Sequence, residues 1–218
     1  MARGTDFGGV HSSIDLNLIQ QKVSVQPAEP KLNMIEVPGA DGSKDLSEQP
    51  AGRVVFHDRE IEWTFALYPG ENWDEKHSQV SGALNGRRCR ITLDTDPDYY
   101  YLGRLTVKKY KTDGLLRQIT VTATCHPYKL KQQATNLGPL SLTTTPRVLT
   151  LTNDRKPAVP TITVTAETTI VWNGSSYAVS VGTHKMLDFE LREGLNTFQA
   201  SVTSGTGSIT VGYQEGAL

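Results

Sequence analysis

The chain has 218 residues, 37% hydrophobic and 21% charged, with 22 basic and 23 acidic side chains and a formal net charge of −1. That is enough chain to bury a core without disulfide or metal staples, in one domain or two, and the composition is that of a folded protein and not a disordered one. Lysines plus arginines balance aspartates plus glutamates at 17 each through Lys131 and stand at 5 against 6 beyond it, so neither half has the positive field that phosphate tracking needs and direct nucleic-acid binding is not expected.

The opening MARGTDFGGVHSS has no apolar run, so no secretory leader is expected there. No stretch approaches the ~20 apolar residues of a membrane span, and synthesis in a cytoplasm follows as an expectation. Ser13–Val23 reads as a strand with Leu16 and Leu18 on one face, closed by Pro27 and Pro30. Next comes Lys31 to Phe56, KLNMIEVPGADGSKDLSEQPAGRVVF. Its ends, Leu32–Val37 and Arg53–Phe56, read as strands, and its middle is punctuation. Pro38-Gly39 and Asp41-Gly42 are turn dipeptides, followed by a polar run with the single leucine Leu46. A connection of about 15 residues is far longer than the usual hairpin loop, and such loops are functional or disordered. The stretch holds no nucleophile–base pair and no metal cluster, so a role for it means contact with another chain. Leu46 is the expected apolar anchor of a subunit interface, flanked by Asp45, Ser47 and Glu48, within a loop spanning Pro38–Pro50.

Glu60–Leu67 alternates strictly, with Ile61, Trp63, Phe65 and Leu67 on one side, which predicts a half-buried antiparallel strand. It is expected to pair with Arg53–Phe56 through His57-Asp58-Arg59. One helix follows. Asn72 is a good N-cap, Glu75 completes a pattern like a capping box, and Trp73, His77, Val80 and Leu84 share a face up to the Asn85-Gly86 stop. A lone helix of about 13 residues must lay that face on a sheet to be stable. Cys89, Ile91 and Leu93 mark another strand, Asp94–Asp98 an acidic turn, and Tyr99–Tyr110 with Leu115–Cys125 a long hairpin around Thr112-Asp113-Gly114. Residues 132–146 are rich in Thr, Pro and small polar groups and read as a linker between a domain of residues 1–131 and one of residues 147–218. The second domain shows about seven short strands: Val148–Thr152, Thr161–Thr165, Thr169–Trp172, Tyr177–Val181, Lys185–Leu191, Thr197–Val202 and Ser208–Tyr213. Turn signals recur roughly every 8–12 residues, the pattern of a β-sandwich.

Chemistry-bearing constellations are weak. The histidines are His11, His57, His77, His126 and His184, and only Cys125-His126 places a second ligand type nearby. Neighbouring strand residues face opposite ways, so that pair does not chelate one ion. Asp94, Asp96 and Asp98 suggest calcium, but an EF-hand loop needs Gly sixth and Glu twelfth, where this chain has Tyr99 and Leu105. Glu60 and Glu62 share a strand face as exposed glutamates do. Ser12-Ser13 and Ser175-Ser176 lack a nucleophile-elbow setting. Asn173-Gly174-Ser175 matches a glycosylation sequon and also a hairpin turn, and the turn reading is preferred. No catalytic residue, metal ligand or cofactor site is assigned. Cys89 and Cys125 read as buried free thiols, with a disulfide possible but not required. Trp172, Tyr177, Phe189, Phe198 and Tyr213 could form a sugar-stacking platform, but their alternation with polar neighbours favours a core.

Several segments in order carry a resemblance: Phe7-Gly8-Gly9-Val10-His11-Ser12-Ser13, then VPGADG, DLSE and GRVVF, the short helix, LDTDPDYYYLGRL, Cys125-His126-Pro127-Tyr128, and the final GYQEGAL. Together they resemble the distal tail (Dit) family of long-tailed, siphovirus-type bacteriophages. The resemblance implies an all-β fold with one packed helix: an N-terminal sheet or barrel-like domain and a C-terminal galectin-like, jelly-roll sandwich. It further implies a virion protein of the phage tail tip, made in the host bacterial cytoplasm. Its role there would be a structural hub and not an enzyme, with first domains forming a homo-hexameric ring. Such a ring joins the tail-tube protein to tail-associated or baseplate proteins and meets the tape-measure protein. The second domain is compact, with no room for an inserted carbohydrate-binding module, which favours a plain adaptor. Two alternatives stay open, a carbohydrate-binding β-sandwich module for a host receptor and a tail-tube subunit.

Overall fold

The computed structural model describes residues 3–49, 51–108 and 118–218. The chain divides into two compact units, Met1–Lys129 and Leu130–Leu218.

The first unit contains β1 (Thr5–Phe7), β2 (Leu18–Val25), β3 (Met34–Glu36), β4 (Ser43–Asp45), β5 (Arg59–Leu67), α1 (Trp73–Leu84), β6 (Arg88–Leu93), β7 (Tyr99–Val107) and β8 (Gln118–Cys125). Six of these strands form one antiparallel path, β1-β6-β7-β8-β5-β2. The path does not close, because β1 and β2 end it without pairing each other. Side chains bring those ends together instead. The Thr5 hydroxyl donates to Gln20 Oε1 at 2.7 Å, and Trp63 Nε1 donates to Thr5 Oγ1 at 3.1 Å. The barrel-like character is therefore a curled open sheet.

The alternation in β5 orders this sheet. Ile61, Trp63 and Phe65 are fully buried while Glu60 and Glu62 are exposed. Its partners are β2 and β8, with Trp63 opposite Val23 and Val121. The expected pairing of Arg53–Phe56 with Glu60–Leu67 does not form. Residues 55–57 pair back onto residues 29–31 instead, with Lys31 N–H donating to Val55 O and His57 N–H to Glu29 O. The central position of β5 is already taken on both sides, which leaves no edge for Arg53–Phe56. The expected strand Ser13–Val23 also begins later, at Leu18, because residues 11–16 coil into a turn in which Asp15 and Leu16 N–H both donate to His11 O. Leu16 and Leu18 are buried as expected.

Helix α1 presents Trp73, Val80 and Leu84 to the same core as Phe7, Trp63, Leu105 and Val121. Asn72 Oδ1 caps it by accepting from Asp74 N–H at 3.1 Å. His77 stacks on Trp73 at 4.8 Å. After the helix Gly86 adopts φ +78, the left-handed value that ends helices, and its N–H donates to Leu105 O, tying the helix end to β7. The turn expected at Thr112-Asp113-Gly114 lies outside the described residues.

Strand β9 (Lys129–Lys131) carries the chain into the second unit. There follow β10 (Thr135–Leu142), β11 (Arg147–Asn153), β12 (Thr161–Val164), β13 (Thr168–Trp172), β14 (Ser175–Val179), β15 (Gly182–Lys185), β16 (Gly194–Val202), β17 (Gly207–Tyr213) and β18 (Gly216–Ala217). Two four-stranded sheets result, β10-β17-β12-β15 and β11-β16-β13-β14. Leu142, Ile162, Val164, Ile209 and Val211 of the first sheet meet Leu149, Leu151, Ile170, Trp172 and Phe198 of the second in one core, the sandwich expected.

Two expectations about this unit are corrected. Residues 132–146 are not a linker, because β10 pairs with β17 along most of that segment and Leu142 is buried. The ladder shifts register between Leu137 and Leu140, where Gly138 and Pro139 interrupt it. Pro offers no ladder donor, so the period-two pattern of Leu137, Leu140 and Leu142 is broken. Second, Lys185–Leu191 is not a strand: β15 ends at Lys185, and Leu191 returns only as a bridge to Ala158.

Candidate functional site

Residues 31–47 form a projecting hairpin. Strands β3 and β4 pair only with each other, Met34 opposite Asp45, Ile35 opposite Lys44 and Glu36 opposite Ser43. Every residue from Lys31 to Asp45 is exposed. Four of them are large and apolar: Leu32 at 66%, Met34 at 50%, Ile35 at 44% and Val37 at 46% exposure. Met34 and Ile35 are strand neighbours and point to opposite faces, so each face of β3 carries an exposed apolar side chain, beside Asp45 on one face and Lys44 on the other.

The root of the hairpin is built by the residues singled out in the sequence. Ser47 is buried at 6% exposure. Its hydroxyl accepts from Asn33 N–H at 2.8 Å and donates to Asp45 Oδ1 at 2.5 Å, and its N–H also donates to Asp45 Oδ1 at 2.8 Å. These bonds, from the Ser47 hydroxyl first and its backbone second, hold the Asp45 carboxyl below its ordinary pKa. Leu46 is half-buried, and its N–H donates to Asn33 O. Asp45 and Glu48 are exposed. The four residues thus sit together at the base, and the expected loop tip is occupied by residues 38–42. The projecting apolar side chains are Leu32, Met34, Ile35 and Val37, which the sequence reading passed over as ordinary strand. The sequence does not mark them: LNMIEV has apolar residues at both parities, as a buried strand does, and its pairing with the polar Ser43–Asp45 is visible only in the fold.

The other sequence candidates are spent on the fold. Ser13 Oγ, His11 and Asp94 form a line, with 3.1 Å from Oγ to His11 Nδ1 and 3.2 Å from His11 Nε2 to Asp94 Oδ1. This has the order of a hydrolytic triad. However, Ser13 N–H and Ile14 N–H also donate to Nδ1, each at 3.3 Å. The single lone pair of Nδ1 is thus shared by two backbone N–H groups, and the ring serves as a turn cap. Asp94 also accepts from Gly4 N–H, while Asp96 pairs with Lys129 at 2.7 Å. No three His, Cys, Asp or Glu side chains converge among the described residues. Glu60 faces Lys108 at 3.8 Å.

Cys89 and Cys125 are free. Both oppose Gly103, on β6 and β8 either side of β7. Two strand spacings, about 9–10 Å, exceed the Cα separation a disulfide spans. Burial, ahead of the neighbouring charges, pushes the Cys125 thiol up to about 12. Trp172, Phe189, Phe198 and Tyr213 are buried, with Trp172 and Phe198 both packed on Phe189, so they form core and not a stacking platform. Tyr177 is half-buried against the same core.

Comparison with solved structures places this architecture. The fold is that of SPP1 Dit (gp 19.1). The alignment covers 100% of both chains with a TM-score of 0.68 at 16% sequence identity, and that crystal structure is described as a paradigm of the hub adsorption apparatus in Gram-positive infecting phages. No family model matches the chain, and no curated protein matches it. The all-β architecture with one helix and a C-terminal sandwich, expected from the resemblance, is thus observed over the whole length of the Dit fold.

Proposed function

We propose that the protein is a phage tail hub: a non-enzymatic virion component of the tail tip, made in the host cell, whose first unit assembles a ring of six copies. In this role it joins the tail-tube protein to tail-associated or baseplate proteins and adjoins the tape-measure protein. The observation that carries the reading is the likeness to SPP1 Dit across both units. A shared sandwich alone would say little about function, whereas the same succession of a helix-bearing sheet and a sandwich over the whole aligned length is more specific.

The hairpin gives the ring a physical contact. A lone two-stranded hairpin is marginal in water, and ordering it costs about 1–2 kcal/mol per residue in backbone entropy. This one recovers little of that cost within its own chain, since residues 31–45 are all exposed. Its exposed apolar side chains are satisfied when a second copy covers them. Leu32, Met34, Ile35 and Val37 supply the buried centre of that contact. Leu46 supplies its inner margin, Asp45 and Glu48 its polar rim, and Ser47 the internal brace. A closed ring also covers edge strands such as β2 that would otherwise invite open-ended pairing.

The test is the solution mass of the full chain by light scattering, with negative-stain imaging. Six-membered rings, near six times 23.9 kDa, are expected. A monomer at high protein concentration would remove the hub reading and return the chain to the monomeric binding-module alternative.

A further inference from the structure

The outer face of the β10-β17-β12-β15 sheet holds a groove of about 390 Å³, within the range of small-ligand sites. Its cause is a missing side chain. Asn136, Gly212, Thr161 and Lys185 stand opposite one another on the four successive strands, and Thr210, Thr163 and Thr183 form the next row. Gly212 leaves the floor of the first row bare between Asn136 and Thr161. A Cβ at Gly212 would lie 2.6 Å from Asn136 Oδ1, so any side chain there would fill the depression.

The chemistry around the groove is selective. Thr161, Thr163 and Thr210 offer hydroxyls that both donate and accept, and Asn136 adds an amide. Thr163 already shares a bond with Thr183 at 2.9 Å, while no hydrogen bond of the Thr161 or Thr210 hydroxyls is formed within the described residues. Among the described residues no carboxylate lines the groove, and its one charged lining residue is Lys185. A second ammonium, Lys156, lies near enough for Lys185 to bear on it: its pKa is lowered by burial first and by Lys185 second, with Glu190 partly offsetting both. Lys185 is thus the cation at the groove itself, while Lys156 lies outside its lining with Glu190 close enough to offset it.

We propose that this groove binds a hydroxyl-rich ligand carrying a single negative charge, that is, an acidic sugar unit, with its anionic group toward Lys185 and its hydroxyls across Thr161, Thr163 and Thr210. Tyr213 also lines the groove, but it is 5% exposed and its hydroxyl donates to Thr152 O, so recognition is by hydrogen bonds and not by ring stacking. Affinity is accordingly weak for one unit. The site is separate from the hairpin contact and does not rest on the hub reading.

Saturation-transfer NMR on the full chain tests it whether the protein is ring or monomer. The probes are methyl glucuronide, methyl glucoside and inorganic phosphate as competitor. Transfer to the glucuronide is expected to exceed that to the glucoside several-fold. It should fall at least tenfold in Gly212→Val, which fills the groove at an ordinary strand position, and Lys185→Gln should bring the glucuronide down to the glucoside level. The Thr163→Val, Thr210→Val pair repeats the groove test with side chains of the same shape, should Gly212→Val not fold. Equal transfer in the groove-filled or valine-substituted protein overturns the proposal, as does absence of transfer to either sugar. Displacement of glucuronide by equimolar phosphate also overturns it, because the site would then be one for simple anions.

Discussion

The two units treat their exposed surface in opposite ways. The first clusters four exposed apolar side chains, Leu32, Met34, Ile35 and Val37, within six residues of one projecting hairpin, while Ile14 and Tyr68 are exposed singly elsewhere. The second spreads an almost charge-free, hydroxyl-rich surface over its sheets, with Val148, Thr150, Thr197 and Gln199 outward on one and Thr161, Thr163 and Thr210 outward on the other. Its exposed Val148 and Leu195 stand singly among polar neighbours. Scattered apolar groups are ordinary on a soluble surface, while a cluster on an unsupported hairpin is a contact waiting for its partner. The proposed assembly contact thus falls in the first unit, and the proposed site for small polar groups in the second.

The largest effect should come from charging the hairpin. Met34→Asp with Ile35→Asp is expected to abolish rings, at about 2 kcal/mol or more per desolvated anchor repeated at every interface, with circular dichroism unchanged. Val148→Asp with Leu195→Asp in the second unit should leave the mass as it was. Loss of rings from the second pair and not the first would reverse the comparison. Next come the cores. Trp63→Ala is expected to cost about 3–5 kcal/mol, and Phe198→Ala the same in the sandwich. Each should lower the thermal transition of its own unit, read by calorimetry, and leave the other standing.

A smaller effect is expected at the hairpin root. Ser47→Ala leaves the Asn33 N–H without its acceptor, worth about 1–3 kcal/mol locally, seen as faster hydrogen exchange at residues 31–47 and not as global unfolding. Acid should act through the same knot. Asp45 has its folded pKa below the ordinary 3.8, so its contribution is complete above 3.8 and is lost as pH falls through the lower folded value. Exchange of the Ser47 amide should therefore accelerate only below about pH 3.8, and acceleration already at pH 5 would assign the loosening to another group. The smallest readout is chemical. At pH 8 a thiol with a pKa of about 12 is thiolate in about one molecule in ten thousand, so iodoacetamide should modify the half-buried Cys89 well before Cys125.

Legibility followed burial. Strand β5 was plain in the sequence because Ile61, Trp63 and Phe65 are fully buried and their neighbours are not, and α1 because Trp73, Val80 and Leu84 meet one core. Strand β10 was hidden because its ladder slips at Gly138-Pro139 and its exposed residues are Thr-, Asn- and Ser-like. Strand β4, Ser43–Asp45, was hidden for a different reason: a strand exposed on both faces has no periodicity to read. The same gap hid the exposed apolar side chains of the hairpin. Leu46 stood out as the single leucine in a polar run, yet that run folds back to the hairpin root and braces it through Asp45 and Ser47. The apolar residues that project were less conspicuous because LNMIEV resembles any buried strand. Only the absence of a covering element distinguishes it, and that absence is a property of the fold.

Hydrogen exchange of residues 31–45 as a function of protein concentration tests the hairpin contact most directly. The β3–β4 amides should be slow where light scattering reports rings and fast after dilution to monomer, while the β5 amides stay slow throughout. Equally fast exchange across the hairpin in ring and monomer would contradict the account and move the ring contact elsewhere on the first unit.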